Sequence, residues 1–169
     1  MARIIGKSEA NCRQIFARAR KRIAPEGQTI DSPPTPTRRA EGDELARRFF
    51  EATAGGDMDA LLDMLAPDVV FHGDGGGKAR AIGKAMTGLR RVAQLLIGGF
   101  RRNRKLGVVQ SAWVNGRPGA VLSDTEGRVA SVLELEIADG AIQAIRSISN
   151  PNKLTHIGPV SDVALLPEK

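Results

Sequence analysis

Residues 41–74 read "EGDELARRFFEATAGGDMDALLDMLAPDVVFHGD", and this stretch decides the fold. Leu45, Phe49 and Ala52 or Thr53 recur at helical spacing and stop at Gly55-Gly56. Apolar residues three and four apart put one greasy stripe on one helix face. Asp57 suits the N-cap of a second short helix carrying Leu61, Leu62 and Leu65, because its carboxylate can accept from a first-turn N–H that has no helical partner. Pro67 is expected to stop that helix, and "DVVFHGD" (68–74) reads as a strand.

Working outward toward the C-terminus, a third helix is expected from Gly88 to about Arg102, with Leu89, Val92, Leu95, Leu96 and Phe100 on its apolar side. Only strand-like segments follow: Leu106–Val114, Gly119–Ser123, Val129–Ala138 and Ala141–Ser149. The dipeptides "NG" (115–116), "EG" (126–127) and "DG" (139–140) mark turns between them. Three helices and then an antiparallel meander give an α+β domain, with helices on one face of a curved sheet. Trp113, the single tryptophan, is expected to fill core. The tail "GPVSDVALLPEK" carries Val160, Val163, Leu165 and Leu166, which fit docking on the sheet or on another protomer.

Upstream lies "APEGQTIDSPPTPTRR" (24–39), with four of the nine prolines. Pro33, Pro34 and Pro36 favour extended geometry, so this segment reads as a linker. Charge divides at its end. Residues 1–39 hold nine Lys/Arg and three Asp/Glu, whereas residues 40–169 hold 16 of each. A neutral domain thus carries a basic arm. Such an arm suits a polyanion or an acidic protein surface, or is a solvated tail. Six cations, Arg90, Arg91, Arg101, Arg102, Arg104 and Lys105, flank the third helix with no acid between them. They fit an acidic partner, a nucleic acid or a solvated face.

Within the arm, Ser8 is a good N-cap and Gly6 suits a turn before it. Cys12, Ile15, Phe16, Ala19 and Ile23 form one helical stripe, so a helix is expected from about Glu9 to Ile23. Asn11, Arg13, Gln14, Arg18, Lys21 and Arg22 fall largely off the stripe. Arg and Gln can pair bidentately with base edges, and an Arg/Lys-rich end can meet phosphates. Ser8, Asn11, Arg13, Gln14, Arg18, Lys21 and Arg22 are therefore the DNA-binding candidates.

The residues "IIGKSEANCRQIFARARKRI" (4–23) resemble the end of the promoter-binding domain of extracytoplasmic-function sigma factors. In that family a serine-capped recognition helix of a helix-turn-helix reads the −35 element. The likeness implies that residues 1–23 are a remnant of that domain, truncated within it, with only Ala2 to Ile5 left of the preceding helix. An isolated helix of this length is marginal in water. This chain alone is therefore expected not to bind promoter DNA specifically.

Residues 40–155 resemble the SnoaL-like, nuclear transport factor 2-like fold, a cone of curved sheet with helices across its mouth. "DGGGK" (74–78) and "NPNKL" (150–154) resemble the two motifs of sigma factors with a SnoaL-like C-terminal extension. The second motif there reads Asn-Pro-Asp-Lys-Leu, so Asn152 removes a charge. In that subgroup the extension regulates sigma activity by contacting the two DNA-binding domains. The resemblance implies regulatory contacts at Asp74, Gly75, Gly76, Gly77, Lys78, Asn150, Pro151, Lys153 and Leu154. It also implies RNA polymerase core and promoter DNA as partners of a full-length parent that initiates transcription, and a homodimer. Residues 156–169 are left as a tail.

Cone domains of this class include isomerases and cyclases, so an enzyme or small-molecule binder is the alternative. His72 and Asp74 share one strand face and are weak catalytic candidates, and Glu134 could point into a cavity. The chain has no tyrosine, so a tyrosine proton donor is impossible. Two histidines and one cysteine, Cys12, make a poor metal set and no disulfide. No cofactor is expected. The longest apolar runs, such as "VAQLLIGGF", are too short to span a bilayer, and the start lacks a signal-peptide core. A cytoplasmic protein acting in transcription, and no enzyme, is the resulting expectation.

Overall fold

The computed structural model describes Ser8, Asn11, Arg13, Gln14 and residues 35–102, 106–163 and 165. The chain divides into two units, residues 1–33 and 34–169. In the first, Asn11, Arg13 and Gln14 are helical, and the Asn11 N–H donates to Ser8 Oγ at 3.3 Å, a serine cap. Arg18, Lys21 and Arg22 lie outside the described residues.

The second unit opens with helix α1, Pro36–Gly55. Its start lies inside the stretch expected to be a linker. Thr35 caps it by accepting from the Arg38 N–H at 3.3 Å, and Pro36 occupies the first turn. Proline is favoured there because its missing N–H would be unpaired anyway. The first half of α1 is held by Trp113, whose Nε1 donates to Asp43 Oδ1 at 2.7 Å while Arg39 stacks 4.6 Å above the ring. Trp113 therefore anchors the helix start and is not among the buried core residues. Gly56, at φ 73°, ends α1, with Gly56 N–H donating to Thr53 O and Asp57 N–H to Ala52 O. This pair of bonds is a Schellman closure.

Asp57 then caps α2, Met58–Met64, accepting from the Ala60 N–H at 3.0 Å. The helix stops three residues before Pro67, which sits within strand β1, Leu65–Asp74. The register between β1 and its neighbour shifts between Leu65 and Val70, and Pro67 is exposed in that irregularity. A bulge tolerates proline because no ladder bond is demanded of it. A two-residue strand β2, Met86–Thr87, precedes α3, Leu89–Arg102. The chain then runs through β3 (Leu106–Val114), β4 (Arg117–Asp124), β5 (Val129–Ala138) and β6 (Ala141–Ile148) to a single turn, α4 (Pro151–Leu154).

Strand order is β2-β1-β6-β5-β4-β3. The meander β3 to β6 is antiparallel, as its turns require. Asn115-Gly116 and Asp139-Gly140 all have positive φ, the geometry of two-residue hairpins. The first strand joins the last in parallel, pairing Phe71 with Ile145 and Asp74 with Ile148. Register shifts recur in the β3–β4, β4–β5 and β5–β6 pairs, and such bulges bend and twist a sheet.

The main core lies between the helices and one sheet face: Phe49, Leu61, Val69, Val92, Leu135, Ile142 and Ile145 are essentially inaccessible. Phe49 and Phe50 meet edge to face with centroids 5.1 Å apart. A smaller cluster of Val129, Val132 and Leu154, joined by Val121, Ile148 and Val160, covers part of the opposite face.

Residues 155–163 extend this second cluster. Val160 bridges Val129 in parallel, and Ser161 Oγ, buried, donates to Asp124 Oδ2 at 2.6 Å. Asp124, 2% exposed, also accepts from Arg128 Nε and from the N–H groups of Arg128 and Glu126. Ser161 first, and then these donors, hold its carboxyl well below the usual carboxylate range despite burial. A lowered pKa stabilises the fold above the unfolded carboxylate value and is lost as pH falls through the folded one. Asp124→Asn is therefore less stable at neutral pH, and its deficit shrinks as pH drops below about 4, read as urea midpoints across a pH series.

Candidate functional site

Parallel strands end at the same edge of a sheet. Because β1 and β6 run side by side in register, Asp74 and Ile148 finish together, and the Ser149 N–H donates to Asp74 O at 2.8 Å. Each strand leads directly into one of the two short motifs. Segments some seventy residues apart therefore meet.

Two side-chain bridges clasp them. Lys153 Nζ lies 2.8 Å from Asp74 Oδ2, and Lys78 Nζ donates to Asn152 Oδ1 at 3.1 Å. Asp74 Oδ1 accepts from the Gly76 N–H at 3.0 Å, so its carboxylate serves both its own loop and the partner motif. Lys153 chiefly, with the Gly76 N–H and Asn150, holds the Asp74 carboxyl below its ordinary pKa. Asn152 is an uncharged amide, so its bridge to the Lys78 ammonium is a hydrogen bond and not an ion pair.

The glycine loop is shaped by its neighbours. Gly75 is buried, and a Cβ there would strike the Ala79 carbonyl. Gly76 has φ 58°, and a Cβ would strike the Asn150 side chain. Asn150 in turn caps α4, accepting from the Asn152 N–H at 3.1 Å, with Pro151 in the first turn. Leu154, 1% exposed, is packed in the second core cluster. It fixes the motif from beneath and is not available to a partner, a correction to its place among the contact candidates. Gly76, Gly77, Lys78, Asn152 and Lys153 form the exposed part of the clasp.

A separate cavity of about 160 Å³ opens between α3 and the sheet, walled by Phe71, Leu95, Leu96, Phe100 and Leu133. Its polar side holds Arg80 and a chain of hydroxyls: Ser131 and Ser147 are 3.2 Å apart, and Ser149 donates to Ser131 at 3.3 Å. The volume is below the roughly 300–1,000 Å³ of ordinary ligand pockets. His72 and Asp74 do not line it. His72 is exposed on the face opposite to Phe71, and Asp74 is engaged by Lys153. Glu134 also points away, to the outer sheet face, where it accepts from Arg146 at 3.0 Å and Asn115 at 3.3 Å. Arg146 also donates to Glu136, whose carboxyl it and Arg117 hold below its usual pKa. Among the described residues, no three His, Cys, Asp or Glu gather as a metal site, and no helix is long and apolar enough to cross a membrane.

The chain belongs to the SnoaL-like domain family, whose match covers residues 46–146. It is also similar to the ECF RNA polymerase sigma factor SigJ of Mycobacterium tuberculosis H37Rv, 32% identical over 92% of this chain and 51% of that protein. The probable ECF RNA polymerase sigma factor SigI of the same species is 32% identical over 91% of this chain and 49% of its own length. The crystal structure of SigJ superposes with a TM-score of 0.65 at 29% identity, covering 95% of this chain and 55% of that one. The chain spans about half the length of the curated relatives it matches. A de novo designed protein with a curved β-sheet shares the fold alone, at 17% identity and a TM-score of 0.50 over 70% of this chain.

The clasp depends on a left-handed backbone at Gly76. A non-glycine residue there costs roughly 1–2 kcal/mol, before any clash with Asn150. Gly76→Ala is expected to lose at least that much stability by urea denaturation, whereas a change at exposed Lys84 leaves the midpoint unmoved.

Proposed function

We propose that this chain is the regulatory part of a sigma factor, in which the SnoaL-like domain controls sigma activity by contacting the DNA-binding domains through the clasp. The observation that carries the reading is the convergence of the two motifs at one sheet edge. Lys78 and Lys153 stand exposed at that edge beside the glycine loop, and exposed cations suit an acidic protein segment. The similarity to two sigma factors over nine-tenths of the chain supports the class of function. The parent activity is transcription initiation with RNA polymerase core on promoter DNA. Regulation is favoured over catalysis because the cavity is small and, among the described residues, its lining includes no carboxylate or imidazole.

The test mixes this chain with the separately produced DNA-binding domains of a related sigma factor and measures association by calorimetry. Lys153→Glu places a like charge against Asp74 and is expected to weaken binding at least about tenfold, the scale of a truncated interface charge. Absence of wild-type binding, or equal binding by the variant, overturns the reading.

The arm is read as part of the −35 recognition helix, with Ser8 as its cap and Asn11, Arg13, Gln14, Arg18, Lys21 and Arg22 facing DNA. Residues 1–169 alone are expected to retard a −35 duplex no more than a scrambled one, because an isolated helix of this length is marginal in water. A sequence-dependent shift that survives added salt would show the opposite.

A further inference from the structure

The SnoaL-like domain is neutral as a whole, yet its charges are sorted. From Gly75 through Ser123 there are ten Lys/Arg and no Asp or Glu, whereas residues 40–74 and 124–169 together hold six Lys/Arg and 16 Asp/Glu. Helix α3 lies in the middle of the basic stretch. It buries Val92, Ala93, Leu96 and Ile97. Its other face is polar: Arg90, Arg91, Gln94, Arg101 and Arg102 are all exposed.

Helical geometry aligns these residues. Arg90 and Arg101 are eleven residues apart, about three turns, so they share a row some 16 Å long. Arg91 and Arg102 form a second row beside it. Gln94 and Gly98 lie between the two pairs with no apolar side chain there, and Arg102 folds back over Gly98, its Nε donating to the Gly98 carbonyl at 3.1 Å. Among the described residues, the ion pairs of the domain are elsewhere: on α1, at the β4–β5 hairpin, on the outer sheet face and in the clasp. The first turn of α3 holds two arginines and no acid, against the polarity of the helix dipole. This placement disfavours the helix on its own, and an anion bound there relieves it.

We propose that the outward face of α3 binds the phosphate backbone of duplex DNA, without reading sequence. A protein partner would need an apolar or aromatic centre to bury. This face has none, and the large exposed apolar residues, Val108, Val109, Ile157 and Leu165, lie off α3. A phosphate track needs only spaced cations and an open approach. Arginine forks fit phosphate oxygens bidentately, and a strand of B-DNA carries a charge about every 3.4 Å along the axis. The 16 Å face therefore passes about four or five phosphates. The inference is independent of the clasp, which lies on other residues.

The experiment follows a labelled duplex of random sequence by fluorescence anisotropy as a function of salt, using the full chain. A variant carrying Arg90→Gln, Arg91→Gln, Arg101→Gln and Arg102→Gln keeps good helix formers on the exposed face, and circular dichroism checks that it folds. The slope of log affinity against log salt is expected to become shallower by about three to four, near 0.9 for each phosphate no longer neutralised. A second variant, Arg18→Gln with Lys21→Gln and Arg22→Gln, measures the arm, and retains binding that the first lacks. An unchanged slope in the α3 variant overturns the proposal. So does loss of all binding in the arm variant, or poly-glutamate displacing the duplex at equal charge concentration, which would mark an acidic protein surface.

Discussion

The parallel pairing of β1 with β6 is the constraint on which the rest of the structure depends. It closes the meander onto the helical half of the chain and completes the face that buries Phe49, Leu61 and Ile145. It also brings the ends of two strands to one edge, which is why Asp74 meets Lys153 and Lys78 meets Asn152. An antiparallel arrangement of the same two strands would send the glycine loop and the α4 turn to opposite ends of the sheet.

The two faces of the sheet do different work. The inner face is apolar except at the serine chain, where Ser131, Ser147 and Ser149 satisfy one another beside a small cavity. The outer face is divided between the cluster around Leu154 and a charged lattice of Arg117, Glu134, Glu136 and Arg146. Leu154 ties the two themes together: the residue that ends the second motif is also a core residue, so the clasp is seated on packing as well as on charge. At the β4–β5 hairpin, Asp124 secures the segment around Ser161 with several donors, which makes residues 155–163 part of the domain.

Charge is also organised at the level of the chain. The domain's zero net charge conceals a basic central stretch between two acidic ones. The cations of α3 are exposed and set apart from carboxylates, whereas the arginines of the outer sheet face are consumed by Glu134 and Glu136. Equal numbers of opposite charges thus yield surfaces with different capacities, depending on which strands carry them together.

Local features of the sequence determined most of the elements. Gly55-Gly56-Asp57 spelled the end of one helix and the cap of the next, and "NG" and "DG" marked hairpins, because these events depend on single-residue backbone preferences. Prolines were harder to interpret: Pro36 proved to start a helix and Pro67 to occupy a bulge, since a missing N–H is harmless wherever no bond is required of it. Periodicity showed that Val92 and Leu96 share a face with Leu89, and charge counting showed the basic stretch. What only the tertiary structure decided was long-range: that His72 is exposed and off the cavity, that Trp113 answers Asp43, that Glu134 faces outward to Arg146, and that the two motifs meet. Strand order and parallel register arise from how apolar faces are buried together, and no residue in either strand encodes its neighbour alone.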